Sequence, residues 1–404
     1  MANQVLNSAR RHFMAGSGGI ALCAGLPLGA SAQLPRKDKG RAEEQLLFVS
    51  ERWEALPGSV GRTPGCVLGT ILPGQGRAEY EYLPLDAAKK VVALAGPLSL
   101  VVGMGASALI YNAATRKASP IDAPDGFLFT GAAASLPGGA AAVGLRHDFS
   151  LGVERAGVGL IEGSGADSVS LHELAGGPVV ELAWSSPTDQ LLVIQQLLGK
   201  PGPYQVSGLK LSPLTVHWNQ VLEFGLDHGR LAMAPHPNGG AIVALSGSSP
   251  VPTAGNEALA PDLDGPMDRA ALMRGRVERP AQLVWIDHGR AAIVLEIPST
   301  VPMRGLGTIT YTESADVIAC TFWDSDVVIL LRGGKYASHI LAHDLGLTRV
   351  AGAAMLGDRQ TLAVCGLDRY TALVDLHTEK LTRRFRTENF QAIELAMTVA
   401  GESN

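Results

Sequence analysis

The chain has 404 residues, 46% of them hydrophobic and only 18% charged, with 33 Lys and Arg against 38 Asp and Glu. A formal charge of −5 leaves no basic stripe to bind nucleic acid, since that footprint is clustered Lys and Arg. Four cysteines in this length exclude a disulfide framework.

The first predicted element is "SARRHFMAGSGGIALCAGLPLGASAQ", from Ser8 to Gln33. Arg10 and Arg11 precede an uncharged segment from Phe13 to Ala32, and Ala30-Ser31-Ala32 forms an A-x-A cleavage site. Charged, apolar and small residues in that order make a secretory signal. The paired arginines indicate the bacterial twin-arginine route. Against the usual Ser-Arg-Arg-x-Phe-Leu-Lys, this chain has Ala9, Met14 and Ala15 in place of Ser, Leu and Lys. Gly16, Gly18, Gly19 and Gly25 keep the run mildly hydrophobic, whereas a membrane span needs about 20 strongly apolar residues. The expectation is a cleaved signal over 1–32, a linker over 33–44 and one domain over 45–400. The mature form has no membrane span and reaches the periplasm of a Gram-negative bacterium, with the twin-arginine translocase as its partner in export. Cleavage leaves 372 residues, 31 basic against 38 acidic or −7, with Cys66, Cys320 and Cys365.

Beyond the signal, short apolar runs bounded by Gly, Pro, Asn or Asp recur: "KKVVALAG", "TDQLLVIQ", "GGAIVALSG", "ADVIACTF" and "QTLAVCGL". Each has strand length and strand punctuation, so the chain reads as all-β. "LVWIDHGRA", "VVILLRGGKY" and "ALVDLHTEKL" each run from an apolar strand through a short turn to a basic residue that opens the next strand. Those basic residues, Arg290, Lys335 and Lys380, are spaced 45 apart, as are Cys320 and Cys365 in the preceding strands. "ALIYNAATRKA", ending on Arg116 and Lys117, is an earlier copy. A period of about 40–45 residues with several strands per repeat is the signature of a propeller blade. Seven such repeats fit between 45 and 390, predicting a seven-bladed β-propeller of WD40/YVTN-like architecture. "AIELAMTVA" from Ala392 would complete the first blade and close the ring. Pro250 to Arg279 is longer and more polar than other connections and reads as a surface insertion at about 250–279. A pair of β-sandwiches is the structural alternative, and the 45-residue spacing argues against it.

"LRHDFSLGVERAGVGLIEG", within Gly126 to Glu162, resembles a segment of an uncharacterised family of seven-bladed bacterial propeller proteins. Members of that family carry a twin-arginine signal and are often encoded beside periplasmic iron-uptake systems. The family's Glu-Asn-Asp, aromatic and Gly-rich strand falls on Arg146, His147, Asp148, Phe149 and Gly157-Val158-Gly159. "GLDHGRLAMAPHPNGGAIVALSG" is similar to the family's Gly-Pro-His-Glu segment, which places His228 on its histidine. "RPAQLVWIDHGRAAIVLEIP" resembles the next strand pair. The likeness spans about 45 to 390. Where the family has a His-rich segment, this chain reads "FLFTGAAASLPGG", and Gly229 stands where the acid follows the histidine. The resemblance implies a periplasmic propeller in the service of iron uptake.

Standard catalytic signatures are absent: no G-x-S-x-G, H-E-x-x-H, C-x-x-C, Walker A or G-x-G-x-x-G occurs. His339, His343 and Asp344 are weak metal candidates, since even spacing keeps side chains on one strand face and imidazoles with a carboxylate suit a transition metal. Polar residues on an exposed outer strand are the simpler account. Asp262, Asp264 and Asp268 in "PDLDGPMD" resemble part of a calcium loop, but the rest of that loop is missing. Arg146, His147, Asp148, His228 and Arg230 flank strands of different repeats, where they would meet at the propeller face and hold a small anion or a partner's side chains. The same residues would serve equally as turn residues without a ligand. The functional expectation is a non-enzymatic periplasmic binding or scaffold propeller, accessory to iron acquisition, with an unidentified periplasmic protein or small ligand and no cofactor assigned. An oxidoreductase or lyase using the central funnel is the alternative, and against it the chain lacks the C-x-x-C-H haem attachment site.

Overall fold

In the computed structural model each of the apolar runs quoted above is one strand of an antiparallel sheet. The structure describes residues 44–54, 63–85, 88–148, 155–162, 168–197, 204–222, 230–250, 276–288, 291–312, 316–356, 358, 360–366, 370–387 and 394–399. The expected signal with Arg10, Arg11, Ala30 and Ala32, most of the linker, Asp262, Asp264, Asp268, His228 and Arg290 lie outside these residues.

Strands and short 3-10 turns make up the described structure, with no α-helix among those residues. The strands form five four-stranded sheets and one eight-stranded sheet. That larger sheet is two groups of four, 88–122 and 127–174, linked where Met104 lies opposite Thr130 and Gly105 opposite Phe129. Numbering the groups along the chain, unit 1 holds 44–83, unit 2 88–122, unit 3 127–174, unit 4 179–222, unit 5 230–294, unit 6 306–341 and unit 7 350–386. One edge strand of each unit packs against the matching strand of the next: Ala88–Ala93, Phe127–Ser135, Val179–Ser185, Arg230–Pro235, Leu306–Thr312, Val350–Met355 and finally Glu394–Val399. Glu394–Val399 in turn meets Ala88–Ala93, so these inner strands close into a ring. The fold is a β-propeller.

Closure comes from the two ends of the described chain. Glu394–Val399 pairs antiparallel with Glu44–Glu54, with Glu44 opposite Val399 and Phe48 opposite Leu395. It thereby supplies the inner strand that unit 1 otherwise lacks, so that unit 1, like the others, has four strands. Arg383 of unit 7 adds a second tie. Its guanidinium donates to the carbonyls of Pro73 at 3.1 Å, Gly74 at 3.2 Å and Gln75 at 3.3 Å in the outer hairpin of unit 1. Gly76, at φ +65°, leaves the space: a Cβ there would lie 2.1 Å from Arg383 Nη2.

No single core fills this domain. The buried apolar side chains divide into clusters, one at each junction between neighbouring units. At the closing junction Leu46, Phe48 and Ile71 of unit 1 pack on Ala354, Ala363, Leu373 and Phe385 of unit 7. Apolar burial drives this layering, at roughly 25 cal/mol per Å² removed from water. Both faces of a middle strand must therefore be apolar, as the fully buried Val317–Phe322 and Val327–Leu331 illustrate.

The basic residues of the sequence repeat do open outer strands: Lys117, Lys335 and Lys380 each begin one. The cysteines need a correction. The second strands of units 6 and 7, Val317–Phe322 and Thr361–Gly366, are offset by 44 residues, not by the 45 that separates Cys320 from Cys365. A slip of one residue turns a side chain to the opposite face of its sheet. Cys320 accordingly packs at the junction of units 5 and 6, and Cys365 at the junction of units 7 and 1. The equivalence expected from spacing does not exist. The expected insertion also changes at its ends, because the ladder of unit 5 continues to Pro250 opposite Arg276; residues 251–275 lie outside the described set.

Cys320 and Cys365 are buried unbridged thiols at two separate junctions, that of units 5 and 6 and that of units 7 and 1. Burial pushes the Cys365 thiol up to about 12, against a lowering hydrogen bond from Thr371, and raises Cys320 as well. The nucleophile in thiol chemistry is the thiolate. A thiol reagent at pH 8 should therefore leave both unmodified in the native protein and label both after denaturation, as read by peptide mass spectrometry.

Candidate functional site

Four antiparallel strands return the chain to the rim at which it entered a unit. Each inner strand from unit 2 onward therefore starts at the same rim, called the leading rim below. In unit 3, Phe127 starts the inner strand and lies opposite His147, which ends the second strand. Arg146 and His147 thus sit at the leading rim, with Asp148 immediately after the strand. Arg230 opens the inner strand of unit 5 at that same rim, opposite Ser246. The topology brings these sequence candidates to one end of the ring, on units separated by unit 4.

The strand end at His147 and Asp148 is fixed by its backbone. His147 N–H donates to the Arg155 carbonyl at 2.8 Å, and Asp148 N–H to the Gly126 carbonyl at 2.9 Å. The His147 ring meets Phe127 edge to face, centroids 5.5 Å apart and planes at 85°. Its Nδ1 is buried without a hydrogen-bond partner among the described residues.

Two further charged residues stand close to this rim, and neither stands out in the sequence. Lys90 Nζ lies 2.5 Å from Glu181 Oε1, with side chains 18% and 16% exposed. Lys90 is on the inner strand of unit 2 and Glu181 on that of unit 4, so the pair reaches across unit 3. Each follows a break in strand register, between Ala88 and Lys90 and between Val179 and Glu181. The inner strands of units 3, 6 and 7 carry similar irregularities. An extra residue of this kind re-aims the side chains around it. The available signal was a charge inside an apolar run, in "KKVVALAG" and in "VVELAW".

The opposite rim holds a different constellation. His236 ends the inner strand of unit 5, only 3% exposed, and its ring stacks on Trp285 at 4.3 Å with planes 16° apart. Its Nδ1 accepts from Asn238 N–H at 3.0 Å. Gly334 of unit 6 abuts the other nitrogen, since a Cβ there would lie 1.8 Å from His236 Nε2. Burial holds the imidazole below its ordinary value, opposed in part by the carboxylates of Asp287 and Asp316. His236 is a wedge between units 5 and 6 rather than a ligand group.

The weak metal candidates do not share a strand face. His339 lies on the outer strand Lys335–Leu341, its Nδ1 2.9 Å from Tyr336 Oη. His343 and Asp344 lie in the following 3-10 turn, Ala342–Leu345, and pair with each other at 3.1 Å. The chain leaves the sheet between them, which ends the alternation on which the expectation rested. No group of three or more His, Cys, Asp or Glu suited to a metal occurs among the described residues.

No family model matches the chain, and no curated protein matches it. Solved structures do. Hydrazine synthase from Kuenenia stuttgartiensis aligns with a TM-score of 0.53 at 9% identity, covering 80% of this chain and 92% of that one. Dihydro-heme d1 dehydrogenase NirN in complex with DHE gives 0.48 at 12% identity, over 88% and 75%. A nidogen/laminin complex gives 0.45 at 9% identity, over 89% and 99%. At such identities the likeness shows the fold alone.

The buried His236 makes stability depend on pH. Unfolded, a histidine takes its proton near about 6.5, whereas the folded imidazole resists protonation. Below that pH the unfolded chain binds the extra proton, so stability falls as pH drops until the folded group also titrates. Urea midpoints should decrease between pH 7.5 and 5.5, and His236→Asn should make that decrease smaller.

Proposed function

We propose that this chain is a non-enzymatic periplasmic binding or scaffold propeller of seven blades, one per four-stranded unit. Its ligand or partner is held at the leading rim. The observation that supports this reading is the placement of Arg146, His147 and Asp148 of unit 3 and of Arg230 of unit 5 at one rim, with His147 Nδ1 buried and without a hydrogen-bond partner among the described residues. Arg146, His147, Asp148 and Arg230, together with His228, supply cationic, imidazole and carboxylate groups. Such a set suits a small anion or the charged side chains of a protein partner. The Lys90–Glu181 ion pair lies close to the same rim. The resemblance of "LRHDFSLGVERAGVGLIEG" and "GLDHGRLAMAPHPNGGAIVALSG" to exported propellers encoded beside iron-uptake systems supports membership of that family and a role in iron acquisition.

Asp148→Ala, His228→Ala and Arg230→Ala should each weaken capture of one common periplasmic component at least tenfold, read by mass spectrometry of extract bound to immobilised protein. Melting temperatures should stay within a few degrees of the parent. Lost stability with unchanged capture would assign these residues to turn structure. A visible chromophore co-purifying with turnover would favour the oxidoreductase alternative.

Export is tested separately. Arg10→Lys combined with Arg11→Lys should hold the precursor inside the cell. Normal periplasmic yield in a strain without the twin-arginine translocase would exclude that route.

A further inference from the structure

Away from the leading rim, two exposed histidines from neighbouring units meet edge to face. His217 lies on the outer strand of unit 4, and His288 in the turn after the third strand of unit 5. Their ring centroids are 5.4 Å apart with planes at 82°. Exposed imidazoles are not driven together by burial, and 71 residues separate them in the chain.

Both are held by what lies beside them. In unit 4, Gly208 pairs with Trp218 and Leu209 with Val216, so His217 is the extra residue of a bulge and has no opposite number. Bulges re-aim side chains in this way. Trp218 anchors the bulge, its indole N–H donating to Gln190 Oε1 at 2.9 Å in a buried bond. On the other side, His288 N–H donates to Asp287 Oδ1 at 2.7 Å. The strand leading to it is pinned by Trp285, which donates to the Gly239 carbonyl at 3.1 Å and stacks on His236.

We propose that His217 and His288 form an exchangeable site for a divalent transition-metal ion of imidazole preference, such as zinc, nickel or copper, bridging units 4 and 5. The chemistry is that of neutral imidazole nitrogen, which suits these ions. The spacing agrees. With metal–nitrogen bonds near 2.0–2.1 Å, two imidazole centroids on one tetrahedral ion lie about 5 Å apart. Among the described residues no third His, Cys, Asp or Glu completes a cluster. Water or an incoming ligand therefore fills the remaining positions, and the ion exchanges readily.

The test uses the full chain, purified without a polyhistidine tag and treated with EDTA, titrated with Zn2+ alone by calorimetry at pH 7.5. The parent should take up one equivalent, and its melting temperature should rise with Zn2+, because an ion that binds only the folded state stabilises it. His217→Gln and His288→Gln should each weaken binding at least tenfold and abolish the rise, with melting in EDTA unchanged. His377→Gln, at an exposed histidine elsewhere, should bind as the parent does. No uptake by the parent, or uptake that both variants retain, would overturn the proposal.

Discussion

Everything in this domain depends on one antiparallel pairing, between Glu44–Glu54 and Glu394–Val399. A ring of stacked sheets has no beginning until its last member is tied to its first. Without Glu394–Val399, unit 1 would present the bare edge of Glu44–Glu54 to the centre, with unpaired backbone groups that invite wrong pairing. The cost of closing so long a loop is entropic and grows only logarithmically with length. A six-residue ladder reinforced by Arg383 and by the apolar cluster around Phe48 is a sufficient counterweight. Phe48 is wholly buried because Gly69 leaves room for its ring: a Cβ there would lie 2.0 Å from it.

Closure then dictates where the core goes. Each unit packs its two faces against two neighbours, so apolar side chains collect at the junctions rather than at the centre. Hydrogen bonds across junctions supplement this packing. Thr310 donates to the Ala353 carbonyl at 2.7 Å, and Arg332 to the Leu376 carbonyl at 2.7 Å. The stack needs tight fits at its turns as well, and Gly334 provides one against His236. Breaks in register on the inner strands place Lys90 and Glu181 where their charges meet across unit 3.

Such a scaffold separates stability from recognition. The junction clusters are apolar and generic, whereas charged and imidazole side chains collect at the rims. Arg146 to Asp148 lie at the end of a strand whose backbone is held by main-chain hydrogen bonds from His147 and Asp148. His217 and His288 occupy an outer surface where the sheets themselves make no demand on side-chain chemistry.

The sequence by itself determined the strands, because a strand buried on both faces must be a short apolar run closed by turn residues, as "ADVIACTF" and "QTLAVCGL" are. Regular spacing determined the repeat, since stacked sheets of equal size need equal lengths of chain. Spacing could not decide facing. Cys320 and Cys365 match at 45 residues while their strands match at 44, and one residue is enough to put the two thiols at different junctions. Nor could it decide what meets across the ring. Lys90 with Glu181, His236 with Gly334 and His217 with His288 each join different units. Those encounters arise from bulges and from the angle between neighbouring sheets, which local residue preference does not encode. Tertiary structure alone decided them, because only closure of the ring fixes the distance from one unit to the next.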